Sequence, residues 1–314
     1  MTRKATEGET VVFGLAGGEV HVLTPDPTVA EVISSLFPDY RKEEPDVASC
    51  VHRIEVGYLE GSSDDGRDRA YRIHAGGSSS VTPDPIAMLT TVEGGIARGL
   101  LRAASARVHL HAAGVRVGNS ALLALGTRGA GKSSLALAWS VMGLPVLGDD
   151  VVFVDEVGRA DSFRRLFKVD PELLESHGID PGTTPVWAEG AAEAWFDPRA
   201  AGGWSDGYVP VRAVVVLEGR IAEERDPFRS GGGGGGSREG AAGRRGESPQ
   251  PWSLASVEPA EALNDLLASV VWTGRSREAS LDPLLALLDG CDAHRLSFAS
   301  SARAARGLVE LMNG

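Results

Sequence analysis

The chain has 314 residues, enough for one large or two modest domains with a sizeable core. Apolar and charged fractions of 42% and 24% are those of an ordinary globular protein, and a formal net charge of -12 argues against non-specific binding to nucleic acid or to an anionic membrane. Cys50 and Cys291 lack the spacing of a zinc site or a disulfide framework, "MTRKATEGET" has no apolar leader, and no run is long enough to span a bilayer, so the expected location is the cytoplasm.

Residues 11–23, "VVFGLAGGEVHVL", read as two strands around a Gly-Gly turn. A helix is expected over 27–37, where Val29, Val32, Ile33 and Leu36 share a face. "VHRIEVGYL" and "RAYRIHAG" read as strands, and "PIAMLTTVEGGIARGLLRAA" as a helix weakened by its glycines. Residues 1–105 are therefore expected to form a small α+β domain without a catalytic signature, suited to packing or to docking an acceptor.

The second domain is expected over 106–314. It opens with two strand-like runs, "ARVHLHAAGV" and "SALLALG", on either side of a "GNS" turn. A glycine-rich loop follows, then a helix in "SSLALAWSVMGL". "PVLGDDVVFVDEVG" reads as two apolar runs joined at Gly-Asp-Asp, and "VPVRAVVVLEG" as a buried strand. A Gly-, Arg- and Ser-rich insertion over 229–250 lacks the apolar residues to pack, and is expected to be a disordered, expanded hairpin loop. After it come a strand in "WSLASV", a helix in "EPAEALNDLLASVVW", a helix in "LDPLLALLDG", a strand in "HRLSF" and a helix in "SSARAARGLVELM".

The stretch "GTRGAGKSS" carries the chemistry. Gly126, Thr127, Arg128, Gly129, Ala130, Gly131, Lys132, Ser133 and Ser134 fit the phosphate-binding P-loop pattern, between a buried strand and a helix. Glycines allow backbone N–H groups to converge on phosphate oxygens, Lys132 is placed to reach the β- and γ-phosphates, and the Ser133 hydroxyl is suited to ligate Mg²⁺. A metal-assisted transfer also needs a carboxylate nearby. Two candidates compete: the Asp149–Asp150 pair, and Asp155–Glu156 at the end of "VVFVDE". A right-handed crossover makes "PVL" run parallel to "ALLAL", so its carboxyl end points at the phosphates. If the chain turns at Gly148-Asp149-Asp150, Asp155 is carried on the order of 15 Å away at about 3.3 Å per residue. The Asp pair is favoured, one acid to hold metal and the other to accept a proton. Alternation puts His109 and His111 on one strand face just before the loop.

The set "LHAAGV … GTRGAGKSS … LPVLGDD" resembles the catalytic domain of the HPr kinase/phosphorylase family, specifically over 109–152 and more loosely to the C-terminus. The resemblance implies an α/β fold, α+β overall, with a P-loop kinase domain of the HPr kinase/phosphoenolpyruvate carboxykinase type behind a smaller N-terminal α+β domain. It implies ATP and Mg²⁺. It matches His111 to the family's active-site histidine, Gly126–Ser134 to its P-loop, and Asp149 and Asp150 to its acid pair. The segment expected for phosphorolysis is not found in "DPGTTPVWAEGAAEAWFDPRAAGG", and both the N-terminal unit and the glycine-rich insertion are foreign to the sugar-transport kinases. The chain is thus more similar to divergent members, some of which phosphorylate precursor peptides of modified natural products such as lasso peptides.

The expected activity is ATP-dependent transfer of a γ-phosphoryl group to a serine-type hydroxyl of a peptide or protein, with His111, Lys132, Asp149 and Asp150 catalytic and Ser133, Asp149 and Asp150 holding the metal. No nucleic acid or membrane partner is expected, and a homo-oligomer is compatible. Three other readings stand beside it: an ATPase or switch in which water attacks, a true HPr serine kinase, and a module that binds nucleotide without turnover. The chain has neither an Asn-Lys-x-Asp segment to read guanine nor the Leu-Ser-Gly-Gly-Gln of transporter ATPases.

Overall fold

The computed structural model describes residues 8–59, 70–186, 191–220, 252–271 and 275–314; the expected insertion over 229–250 lies outside these. In the N-terminal part, β1 (Glu9–Leu15) and β2 (Gly18–Thr24) make a hairpin closing on Leu15 and Gly18. Helix α1 (Pro27–Leu36) starts where the Asp26 carboxylate accepts from the Thr28 and Val29 N–H groups. Then come β3 (Arg41–Lys42), β4 (Cys50–Tyr58), β5 (Tyr71–Ala75) and β6 (Ser78–Thr82), giving a six-stranded sheet in the order β3-β1-β2-β4-β5-β6. Helix α2 (Pro85–Ala103), capped by Asp84, lies on this sheet through Val92, Ile96 and Leu100. It sits close because Gly95 and Gly99 face it: a Cβ on Gly99 would stand 2.4 Å from Val20 Cγ2, and one on Gly95 2.7 Å from Ile54 Cδ1.

The chain then builds β7 (Val108–Leu110), β8 (Ala112–Val117), β9 (Ser120–Leu125), α3 (Lys132–Val141), β10 (Val146–Gly148), β11 (Val152–Val154), β12 (Arg159–Ser162), β13 (Phe167–Val169), α4 (Pro171–Ser176), β14 (Ala194–Phe196) and β15 (Val209–Arg220). It ends with β16 (Trp252–Ser256), α5 (Pro259–Ala268), α6 (Arg277–Leu288), β17 (Asp292–Phe298) and α7 (Ser301–Asn313). Nine strands form one sheet in the order β10-β8-β9-β15-β12-β11-β7, with β17 also on β15 and β16 on β17; β13 and β14 pair separately. Strands β9, β15 and β17 are parallel. Both faces of this sheet are covered, which is why β9 and β15 read as unbroken apolar runs. Leu122, Ala124, Ala213 and Val215 share a core with α3 and α7, while Leu123, Val214 and Val216 share one with α5 and α6. The architecture is mixed α/β.

Three readings of the sequence change. The first apolar run of the second half is two strands, not one. β7 pairs with β11, β8 pairs with β9 and β10, and the chain passes between these ladders at His111. β15 and β16 are not hairpin partners, because β17 lies between them. Strands β12, β13 and β14 and helix α4 carry no periodic signal at their lengths of three to six residues and were not expected. The core of the six-stranded sheet also continues into Val151, Phe153, Phe163, Leu166 and Trp195 of the second half.

Candidate active site

The site is built at the carboxyl ends of β9 and β10. Strand β10 is antiparallel to β8, and β8 to β9, so β10 runs in the same direction as β9. The ends of both strands reach one cavity of about 580 Å³, lined by Arg128, Gly129, Gly131, Lys132, Ser133 and Ser134 of the glycine loop and by His111, Asp149 and Asp150. Gly126, Thr127 and Ala130 complete the loop behind this lining: the carbonyls of Gly126 and Thr127 are taken by Lys132, and Ala130 is buried and donates its N–H to Thr127 O.

Gly131 is the N-cap of α3, with φ of 106° and no side chain capping the helix. A Cβ there would meet the Phe298 ring at 2.6 Å, so glycine is required both by backbone conformation and by the close approach of β17. The N-terminus of α3 thus opens on the cavity, and a helix N-terminus favours an anion. Lys132 is buried, and its Nζ donates to Gly126 O at 2.7 Å and Thr127 O at 3.1 Å. One further N–H of the ammonium is then available. Burial lowers the Lys132 pKa, against the pull of Asp150 and Asp149.

The two acids sit in different environments. The Asp149 side chain is buried, accepts a hydrogen bond from the Ser133 hydroxyl and lies 3.6 Å from an Arg165 guanidinium nitrogen. Burial pushes its carboxyl up to about 6; Arg165 opposes this and the neighbouring Asp150 charge adds to it. Asp150 is open to the cavity. His111 Nδ1 stands 2.9 Å from Asp150 Oδ1 and 3.0 Å from the Asp150 carbonyl, and Arg165 lies 3.0 Å from Oδ2. Burial would raise the Asp150 carboxyl, but the His111 hydrogen bond and the Arg165 and Lys132 charges outweigh it and hold it below the usual carboxylate range. Because Nδ1 of His111 faces only oxygen acceptors, it carries the proton.

His109 is separated from this group. It is buried against Phe153, its Nε2 meets Ala104 O at 3.0 Å, and burial lowers its pKa to about 4. The expectation that both histidines share a face fails because the strand breaks between them. Asp155 also lies elsewhere, closing the β11–β12 turn on the N–H groups of Val157 and Arg159 and on the Arg159 guanidinium.

Four further residues of the cavity, Thr90, Arg165, Lys168 and Glu193, carry no motif. Arg165 and Lys168 line it, and both pair with Glu93 of α2, at 3.3 Å and 2.6 Å. Thr90 of the same helix lines it too. The N-terminal part, read from sequence as free of catalytic features, therefore supplies one wall. A signal for Glu93 exists: with Leu89, Ile96 and Leu100 it falls on the apolar stripe of α2, where a charge needs a partner.

Among the described residues no helix is long and apolar enough to cross a membrane. No family model matches the chain, and no curated protein matches its sequence. Among solved structures, the Hpr(Ser) kinase/phosphatase from Coxiella burnetii is similar at 12% identity over 65% of this chain and 93% of that one, with a TM-score of 0.29. A likeness of that size carries no functional argument, which leaves the function to the chemistry of the cavity.

Proposed function

We propose that the protein is an ATP-dependent kinase that transfers a γ-phosphoryl group to a serine-type hydroxyl of a peptide or protein, using an HPr-kinase-like P-loop domain over 106–314 with the part before residue 105 helping to dock the acceptor. The observation that carries this reading is the meeting, in one cavity, of an uncapped helix N-terminus, Lys132, Ser133 and two carboxylates of unlike environment.

The nucleotide's phosphates are received by the glycine-loop N–H groups and the free N–H of Lys132. Among the described residues no group of three or more His, Cys, Asp or Glu side chains is spaced to hold a metal. The donors present suit Mg²⁺, which takes one or two protein oxygens and completes its shell with phosphate and water. Ser133 and Asp149 are hydrogen-bonded to each other and would hold it, with Asp150 beside them; when bound it neutralises charge on the phosphoryl group. Asp150 faces the cavity and is oriented by His111, so it is the acid that accepts the proton of the incoming hydroxyl. Its low basicity suits phosphoryl transfer, where positioning and charge stabilisation dominate over early proton removal. Arg165 lies against both acids, offsets the repulsion between them and adds a cation to the cavity wall.

The test uses γ-labelled ATP with a pool of serine-containing peptides, following label into peptide and into free phosphate. Label in peptide that disappears with Asp150→Asn supports the kinase. Label in free phosphate alone, with turnover unaffected by any peptide, shows an ATPase or switch.

A further inference from the structure

A second cavity, of about 410 Å³, lies at the β5–β6 turn end of the six-stranded sheet, between β6 and α2. It is lined by His52, Ser78, Ser80, Thr91, Arg98 and Arg102. Arg98 and Arg102 are exposed, and no acid among the described residues pairs with either. His52 is 8% exposed, and its Nε2 is buried without a hydrogen-bond partner. Buried polar atoms are nearly always satisfied, so an orphan at the wall of a polar cavity points to a missing acceptor or donor. Burial, and then the charges of Arg102 and Arg98, lower the His52 pKa. Gly95 and Gly99 let α2 settle directly over His52, which fixes the two arginines above the sheet.

The strand beside the cavity has an unusual surface. Ser80 pairs with Ile73 and Ser78 with Ala75, so these serines lie on the face that α2 covers, where an apolar residue would close the gap. β6 is also the last strand of its sheet, and among the described residues nothing pairs with its outer edge. Arg98 and Arg102, four residues apart on a helix, are separated by roughly 6 Å of rise. Side chains two apart on an extended strand are separated by about 6.6 Å and point the same way. The two spacings match.

We propose that this cavity binds an extended acidic peptide from a partner protein, which adds to the β6 edge and places carboxylates at alternate positions on Arg98 and Arg102, with His52 Nε2 as a further polar contact. Main-chain pairing gives the affinity and the alternate acids give the selection, as in other strand-addition sites. The site stands whether or not nucleotide is bound; where the protein acts as a kinase, it selects acceptors that carry an acid-x-acid segment. Residues 90 and 91 of α2 line the two cavities in turn, so a peptide held here starts one helix away from the glycine loop.

The experiment uses the full chain and an array of nine-residue Thr/Val peptides with pairs of Asp placed at every spacing, read by fluorescence anisotropy. The expected result is tightest binding for spacing i, i+2. Arg98→Gln with Arg102→Gln should weaken it at least tenfold, as should alternate N-methylation of the peptide, while the far-ultraviolet dichroism and thermal midpoint of the double variant match the parent. Lys132→Ala should retain peptide binding while losing nucleotide, which separates this site from the kinase reading. No dependence on acid spacing, equal binding by the double variant, or inorganic phosphate competing as well as the best peptide would overturn the proposal.

Discussion

Asp149 and Asp150 are neighbours on the chain yet sit in different surroundings, one buried on Ser133 and the other turned to His111 and the cavity. Asn at either position is expected to lower phosphoryl transfer at least about a hundredfold, as loss of a metal ligand or a base does. Asp155→Asn should stay near the parent, because that acid only closes a turn. A steady-state assay of the three variants gives the ranking, and a severe Asp155 effect would return the metal to β11. Lys132→Ala should abolish Mg-ATP binding in calorimetric titration with the fold intact, since Nζ touches only loop carbonyls. Glu93→Gln is a stability prediction. It leaves Arg165 and Lys168 without their shared acid in a buried setting, for a cost of about 3 kcal/mol in denaturant unfolding. These residues also mark what sequence could reveal of the site. Lys132, Ser133 and the Asp pair follow a local spacing and were legible. Arg165, Lys168 and Glu93 meet only through tertiary packing, from segments with no motif.

At the scale of elements, the site depends on the direction of one short strand. β10 had to run with β9 to bring Gly148-Asp149-Asp150 to the loop, and it does so with β8 between them. The long, strongly patterned strands and helices were legible because burial on one face or both imposes a period. Strands of three residues impose none, and the break at His111 follows from β7 and β8 joining different ladders. The packing of α2 gives a paired prediction. Gly94→Ala should be neutral or stabilise by up to about 1 kcal/mol, because helix propensity improves and the added methyl meets only the flexible end of Arg98 at 3.4 Å. Gly99→Ala should destabilise despite the same propensity gain, since its methyl would overlap Val20 and His52. Thermal melts of the two variants should move in opposite directions. Strand β2 carries a pH-dependent tie. Buried Glu19 accepts from Lys42 Nζ, His21 Nε2 and the Asp46 N–H; burial alone would raise its carboxyl, but these partners lower it from 4.5 to about 2. A depressed folded-state pKa contributes stability above the unfolded value, lost as pH falls toward the folded one. The parent should therefore exceed Glu19→Gln in stability at neutral pH, with the gap closing between pH 4.5 and 2.

For the whole molecule, one strand ties the second sheet to the site. β17 lies parallel to β15, carries β16 on its other edge, and sets the Phe298 ring beneath Gly131. Yet β15 and β9 precede it by long stretches of chain. During synthesis the inner edge of the sheet stays open, and the floor of the glycine loop is missing, until nearly all of residues 1–298 have been made. Pairings of such sequence separation fold slowly and leave apolar strand edges exposed meanwhile. Refolding from denaturant should therefore restore nucleotide binding in its last phase, together with burial of Trp252 against Gly307, and lose yield as protein concentration rises. On the proposed reading, the phosphate site is completed only when β17 docks on β15 and brings Phe298 under Gly131.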